Sequence, residues 1–234
     1  MLIGRIKWLL EWNWQAAEVS YRRALELNPN DVYAHSEFCR FLIFMGRFEE
    51  SIARTKLTMQ LNPIDITSIH ILSLAYFFYG KYDLAIQNLQ RALELNESDL
   101  WINIFLAWNY TWKNEPDLAF KFIETSTSLD KYDDPWVHAS LAACQAKLGK
   151  PEEARKTLAK LDELSQNRYV DPFNFFVIHA TLNNVEEAIY WFKKAYEIGS
   201  PQISSMYVAQ NRWFAKIKSE PEFEDIMNKL NFPE

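Results

Sequence analysis

The sequence predicts an all-α fold, a solenoid of about six helix-turn-helix repeats that is closed by helices at its C-terminal end. Three observations support this prediction: a pattern that returns about every 34 residues, a turn residue at a fixed place in that pattern, and an aspartate before each apolar helical run. The composition agrees, because only five glycines occur among 234 residues and a β-rich chain of this size needs more turn residues.

A small residue occupies the same position in every repeat. It opens the stretches AEVSYRRALELNP, SIARTKLTMQLNP and AIQNLQRALELNE, and it recurs three more times. The residues are Ala17, Ser51, Ala85, Ala119, Ala154 and Ala188, with spacings of 34, 34, 34, 35 and 34. We expect this residue to allow close approach of the partner helix, so that a large side chain at Ser51 costs about 1–3 kcal/mol by overpacking.

Turn and capping residues keep the same phase. Five residues before each small residue, from the second onward, the chain has glycine or asparagine, which both tolerate the left-handed conformation that ends many helices. These residues are Gly46, Gly80, Asn114, Gly149 and Asn183. The predicted N-caps are Asp31, Asp65, Asp99, Asp134 and Asp171, whose carboxylates would accept free N–H groups of the first turn. Pro135 and Pro172 suit the first helical position.

These markers divide the chain into repeats at about 1–30, 31–64, 65–98, 99–133, 134–168 and 171–200, followed by a cap at 201–234, and we expect a single domain over 1–234. In the first repeat, helix A would begin before Met1 and contains Gly4, so it should be short; Trp8, Trp12 and Trp14 are candidates to cover the open end. In the second repeat, we expect helix A over Val32–Met45 and helix B over Phe48–Leu61. In the cap, we expect helices within Gln202–Lys216 and Pro221–Leu230, closing the C-terminal end.

At this point the sequence resembles the tetratricopeptide repeat (TPR) over nearly its whole length. In the third repeat the family pattern is met by Leu72, Ser73, Tyr76, Gly80, Tyr82, Ala85, Leu89 and Ala92. Pro29 and Pro63 take the closing proline position, where Glu97 and Lys131 depart from it. The resemblance implies a right-handed superhelical solenoid that acts as a non-enzymatic scaffold for a protein or peptide.

Three segments carry a narrower resemblance. The opening WNWQAAEVSYRRALELNPN, the segment RYVDPFNFFVIHATLNNVEEAIYWFKKAYE and the ending SEPEFEDIMNKLNF are similar to C-terminal TPR regions of bacterial multidomain proteins. The N-terminal heads of those proteins are nucleotide cyclases, protein kinases or winged-helix DNA-binding domains. This resemblance implies an alternative, in which the chain is the regulatory or sensory half of a signalling protein whose head is absent.

The resemblance also indicates where a partner would bind, because the A helices of a TPR solenoid line its concave surface. We take the second, fifth, ninth and twelfth positions of each A helix as its exposed positions. The candidate partner-binding residues read from these positions are Tyr33, Arg40, His70, Phe77, Trp101, Trp108 and Trp136. Trp101 and Trp108 are seven residues apart and therefore share one helix face. Aromatic side chains of this kind anchor interfaces.

Two alternatives to an aromatic groove stay open. The aromatic residues could pack between neighbouring A helices and leave no groove. The chain could also be a self-association arm, a homo-oligomer in which the aromatic end near Trp8–Trp14 or the C-terminal helices pair two copies. A grip on a C-terminal carboxylate, known from some TPR proteins, is disfavoured, because Arg40 is the sole cation at the chosen positions.

Other functional classes find little support. The four histidines are isolated, and Cys39 and Cys144 have no cysteine or histidine at metal-ligand spacing, so we expect free thiols, no metal, no cofactor and no catalytic site. We find no phosphate-binding loop or nucleophile elbow. The net charge of −6 with scattered basic residues argues against nucleic acid as a partner. No apolar run is long enough for a membrane span, there is no evident signal peptide, and a cytoplasmic location fits.

Overall fold

A computed structural model describes residues 1–61 and 65–233, and for Leu61 and residues 210–213 it describes the backbone alone. All regular elements in this part are helices. The helices are α1 Leu2–Leu9, α2 Trp14–Leu27, α3 Val32–Phe44, α4 Phe48–Leu61, α5 Ile66–Tyr79, α6 Tyr82–Leu95, α7 Leu100–Lys113, α8 Pro116–Leu129, α9 Pro135–Lys147, α10 Pro151–Ser165, α11 Pro172–Leu182, α12 Val185–Glu197, α13 Met206–Trp213 and α14 Pro221–Leu230. A 3-10 helix, Pro201–Ser205, precedes α13. The all-α prediction is confirmed. Pro63, which was assigned to the closing proline position of the second repeat, lies outside the described residues.

The five aspartates cap helices as expected. Asp31, Asp65 and Asp99 accept hydrogen bonds from the main-chain N–H three residues later, at 3.0, 2.8 and 3.0 Å. Asp134 and Asp171 accept from the N–H two residues later instead, at 2.8 and 2.9 Å. These two helices begin with proline at the first position, directly after the capping aspartate. The aspartate and the proline together mark the start of each helix.

The predicted turn residues all adopt the left-handed conformation. The φ angles are 71° at Gly46, 81° at Gly80, 58° at Asn114, 75° at Gly149 and 62° at Asn183. The small residue of each helix B is fully buried, since all six are 0% exposed. This agrees with the expectation that it lies at a close contact between helices. The 34-residue period therefore corresponds to a repeated structural unit of two helices and a fixed turn.

The described chain divides into two compact bodies. The first body consists of Met1–Ala92, Pro201–Ala209 and Met227–Glu234, and the second of Leu93–Ser200 and Gln210–Ile226. In the second body α8 lies against α7 and α9, and α10 lies against α9 and α11. Neighbouring A helices also touch, since α9 lies against both α7 and α11. The expectation of a single domain over 1–234 stays a prediction.

The core of the first body includes the N-terminal tryptophans. Trp8 is 2% exposed, and its ring lies 5.9 Å from Phe41, edge to face. Trp14 is 6% exposed and stacks on Phe232, with ring centroids 4.6 Å apart. The open end of the first repeat is thus covered in part by the last residues of the chain.

The prediction for the C-terminal segment was partly wrong. In the second body it does cover the last repeat, since Phe214 packs on Phe176 and Phe223 on Phe192, with ring centroids 4.7 and 4.8 Å apart. The predicted helix over Gln202–Lys216 is shorter and follows a 3-10 helix. Residues 201–209 and 227–233 belong to the first body, so the segment covers more than the C-terminal end. Spacing of apolar residues does not reveal which surface a terminal helix meets.

No helix in the described part of the chain combines the length and the apolar character that crossing a membrane requires.

Candidate binding surface

A row of aromatic side chains runs along the accessible face of α7 in the second body. It consists of Trp101, Phe105, Trp108 and Trp112, which are spaced by four, three and four residues. Trp101 is 40% exposed and the other three are half-buried, whereas the intervening residues 102–104, 106, 107 and 109–111 are buried. Residues at this spacing share one helix face, so the row extends over roughly 16 Å along the helix axis.

The neighbouring A helix, α9, joins this row at two places. The ring of Trp136 lies 5.3 Å from Trp101 and 5.5 Å from Trp108, tilted by 53° and 50°. The indole Nε1 of Trp108 donates a 2.7 Å hydrogen bond to the Ser140 hydroxyl. Rings at these distances and tilts attract each other beyond the burial of their area. The three tryptophans predicted from the sequence thus form one cluster, with Trp101 as its most accessible member.

A lysine side chain lies at the Trp112 end of the row. The ammonium of Lys147, in the last turn of α9, lies 3.9 Å from the ring centroid of Trp112. Partial burial lowers the pKa of Lys147 below its usual range. Trp136 and Lys147 are eleven residues apart and so lie on the same side of α9, within roughly 20° around its axis. We call Trp101, Phe105, Trp108, Trp112, Trp136, Ser140 and Lys147 the α7–α9 face.

Most of the fifth and twelfth positions chosen from the sequence are inaccessible, and helix geometry explains why. At the fifth and twelfth positions, Ser36, Ile43, Phe77, Ile104, Thr111 and Ala139 are buried, and His70 and Ala146 are half-buried. The twelfth position lies roughly 80° around the helix from the second, and the fifth roughly 60°, at the side that neighbouring helices cover. The thirteenth position lies within roughly 20° of the second, which is why Trp112 and Lys147 belong to the face and were missed.

Two predicted residues fall in the first body, where Arg5 and Glu37 link them in one polar network. Tyr33 is 48% exposed and Arg40 is half-buried. The buried carboxylate of Glu37 lies 3.2 Å from Arg5 and 4.0 Å from Arg40, and Arg5 donates a 3.0 Å hydrogen bond to the Tyr33 hydroxyl. The cation at Arg40 is therefore partly compensated by a carboxylate that lies three residues earlier in the same helix.

The last two predicted residues are less accessible. His70 is half-buried. Phe77 is 1% exposed and packs edge to face on Phe78, with ring centroids 5.1 Å apart, and near Tyr82 at 5.9 Å. The expectation that Phe77 contacts a partner is therefore corrected, because its ring belongs to the packing between helices. For this residue the packing alternative was the right one.

Among the described residues there is no group of three or more histidine, cysteine or acidic side chains that could hold a metal ion. Both cysteines are free and buried, and burial raises the pKa of the Cys144 thiol to about 12. A thiol with so high a pKa is a poor nucleophile at neutral pH.

Comparison with known proteins agrees with this architecture. A tetratricopeptide repeat model matches residues 66–99. A thermophilic TPR protein of Thermus thermophilus has a similar structure, with a TM-score of 0.64, 21% identity, and coverage of 73% of this chain and 91% of that one. A TPR protein of Parabacteroides merdae has a TM-score of 0.67 and 17% identity, with 88% and 81% covered.

A third similar structure is the APC/C hetero-tetramer Cut9–Hcn1, with a TM-score of 0.65, 12% identity, and coverage of 97% of this chain and 48% of that one. None of the curated proteins compared matches the sequence. The narrower resemblance to multidomain bacterial regulators stays a prediction.

The periodic caps, the turns at a fixed position and the small buried residue of each helix B define an array of helical repeats. The family model matches one repeat, at residues 66–99, and the similar structures show that the chain has the tetratricopeptide repeat fold.

Proposed function

We propose that this protein binds a peptide or a partner protein through the α7–α9 face, and that it does so without catalysing a reaction. The observation that carries the proposal is Trp101, which keeps 40% of its surface exposed while its ring is fixed against Trp136. A large apolar ring that is already ordered loses little side-chain entropy when a partner covers it.

The order of the cluster supports a preformed surface. Trp108 is held by its hydrogen bond to Ser140, and Trp136 is in contact with two other indoles. Tryptophan is enriched among the residues that dominate binding energy at interfaces. The similar Cut9 structure is that of a hetero-tetramer with Hcn1, and we extend to this chain the idea that such a repeat array assembles with another protein.

The test compares binding by the wild type, Trp101→Ala and the double variant Trp101→Ala/Trp108→Ala. A peptide library displayed on phage is selected on the wild type, and the selected peptides are then measured on each variant. We expect affinity to fall by at least roughly tenfold for Trp101→Ala and further for the double variant.

Tyr132→Ala is the matched control, because Tyr132 is 84% exposed and lies outside the α7–α9 face. Far-UV circular dichroism checks that each variant keeps its helices. Trp101→Ala protects the test against misfolding, since its partly exposed ring contributes less to the core than Trp108. Unchanged binding by a folded Trp101→Ala variant would contradict the proposal.

A further inference from the structure

Charge is distributed unevenly between the ends of the A helices in the second body. The sequences of α7, α9 and α11 contain no aspartate and no glutamate. Carboxylates occur just before these helices instead, at the caps Asp99, Asp134 and Asp171, which accept hydrogen bonds from the first turn. The α7–α9 face is therefore flanked by acidic caps at one end and carries Lys147 at the other.

Lys147 differs in its surroundings from Lys113, the lysine at the end of the preceding A helix. No carboxylate of the described residues lies within ion-pair distance of its ammonium, whereas Lys113, in the preceding A helix, pairs with Glu115 at 2.7 Å. The Lys147 ammonium instead lies over the ring of Trp112. A cation in the last turn of a helix is favourable by itself, but that effect does not require contact with an aromatic ring.

The two ends of the face are linked in a regular way. Trp101 meets Trp136 near the N-terminal ends of α7 and α9, and Trp112 meets Lys147 near their C-terminal ends. The eleven residues between the two contacts correspond to roughly 16 Å along either helix. An extended peptide of about five residues has this length.

Resting on the proposed function, we infer that the partner of the α7–α9 face is an acidic segment, with an aromatic or aliphatic side chain on Trp101 and Trp136 and a side-chain carboxylate on Lys147 about five residues away. A carboxylate at the other end would approach the acidic caps and be repelled. A basic side chain at the Lys147 end would be repelled by its ammonium. Charge complementarity thus favours a side-chain carboxylate at the Lys147 end and sets the direction in which the segment lies on the helices.

The experiment selects a random peptide library, amidated at the C-terminus when resynthesised, on the wild type and on Lys147→Glu. Amidation ensures that any carboxylate in the peptide belongs to a side chain. We expect the wild type to enrich peptides with aspartate or glutamate about five residues from a large apolar residue. We expect the affinity of those peptides to fall at least roughly tenfold on Lys147→Glu, and to fall less on Lys147→Gln.

Lys150→Glu is the matched control, since Lys150 is exposed, lies three residues away and gives the same change in net charge. Its binding should equal that of the wild type at equal salt. Raising the salt concentration should weaken binding to the wild type more than binding to Lys147→Gln. Salt screens the attraction between the Lys147 ammonium and the peptide carboxylate, and the variant lacks that attraction.

The outcomes separate this inference from the proposed function. Enrichment of neutral or basic peptides that need Trp101 but bind Lys147→Glu as well as the wild type would overturn the acidic partner and leave the aromatic surface standing. Loss of binding on Lys150→Glu to the same extent as on Lys147→Glu would also overturn it, because the effect would then be one of net charge. A library with no enriched peptide would contradict the proposed function itself.

Discussion

The indole nitrogen of Trp14 donates a 2.9 Å hydrogen bond to the main-chain carbonyl of Leu230, which follows 216 residues later in the chain. The same ring stacks on Phe232, and Phe232 also lies 5.4 Å from the ring of Tyr207. All four residues belong to the first body. The final residues of the chain are therefore part of the packing of the first repeat.

Replacing Phe232 should destabilise the protein through this contact. Phe232→Ala removes a half-buried ring from Trp14 and Tyr207, and we expect a loss of about 1–3 kcal/mol. Thermal unfolding followed by circular dichroism measures the change. Pro233→Ala is the control, since Pro233 is the exposed neighbour. Equal unfolding temperatures for the two variants would show that the ring contributes nothing.

Two glycines at equivalent turns should respond differently to the same substitution. A Cβ at Gly149 would meet no atom within 4 Å, so Gly149→Ala bears only the cost of a left-handed residue, about 1–2 kcal/mol. A Cβ at Gly46 would lie 3.1 Å from Cε1 of Tyr207. We expect Gly46→Ala to be the more destabilising variant in urea unfolding. If Gly149→Ala proved as costly, the contact with Tyr207 would have no energetic weight.

The small residue of helix B offers a test of packing in the second repeat. Ser51 is fully buried, and its hydroxyl donates a 2.9 Å hydrogen bond to the carbonyl of Cys39. Ser51→Leu should cost at least about 1–3 kcal/mol by overpacking. Ser51→Ala should cost less than about 1 kcal/mol, because it loses one hydrogen bond but matches the alanine of the other repeats. Chemical denaturation compares the two, and a Ser51→Leu variant as stable as Ser51→Ala would refute close helix contact here.

Stability should decrease when the pH falls below about 6.5, through the buried His138 and the half-buried His179. Burial lowers the pKa of His138 below 6.5, and the charge of Lys160 acts in the same direction, although Asp133 lies 3.3 Å away. Burial also lowers the pKa of His179. The unfolded chain therefore binds more protons than the folded one in this range, so folding loses stability as the pH falls.

Unfolding midpoints at pH 7.5 and 5.5 measure this effect. The carboxylates with lowered pKa, such as Glu18 and Glu50, titrate below 4.5 and do not contribute in this window. His138→Gln should reduce the difference between the two midpoints, and adding His179→Gln should reduce it further. A wild type with the same midpoint at both pH values would contradict the prediction.

The local structure could be predicted because it is encoded by residues with one physical role each. Asp31 fixes where α3 begins through a hydrogen bond within four residues, and Asn114 fixes where α7 ends through its own backbone angle. Such effects act between neighbours in the chain, so the period and the residue types were enough. The same holds for the small residues of helix B, whose environment repeats with the period.

Contacts between distant parts of the chain could not be predicted in this way. The stacking of Phe232 on Trp14 depends on where the last helix packs, and no spacing encodes that. On the A helices, Phe77 and Trp112 are one position apart in the repeat, yet Phe77 is buried and Trp112 joins the accessible row. A shift of one residue turns a side chain by roughly 100°, which is enough to exchange a neighbouring helix for an open surface.

The three clustered indoles should also give the protein a distinctive optical signal. Trp101 and Trp108 each lie within 5.5 Å of Trp136 and are tilted from it by about 50°. Chromophores this close and this tilted share their electronic excitation, and the coupling produces paired bands of opposite sign in circular dichroism. A molecule that rotates one ring on binding would change those bands, so occupancy of the surface could be followed without attaching any dye.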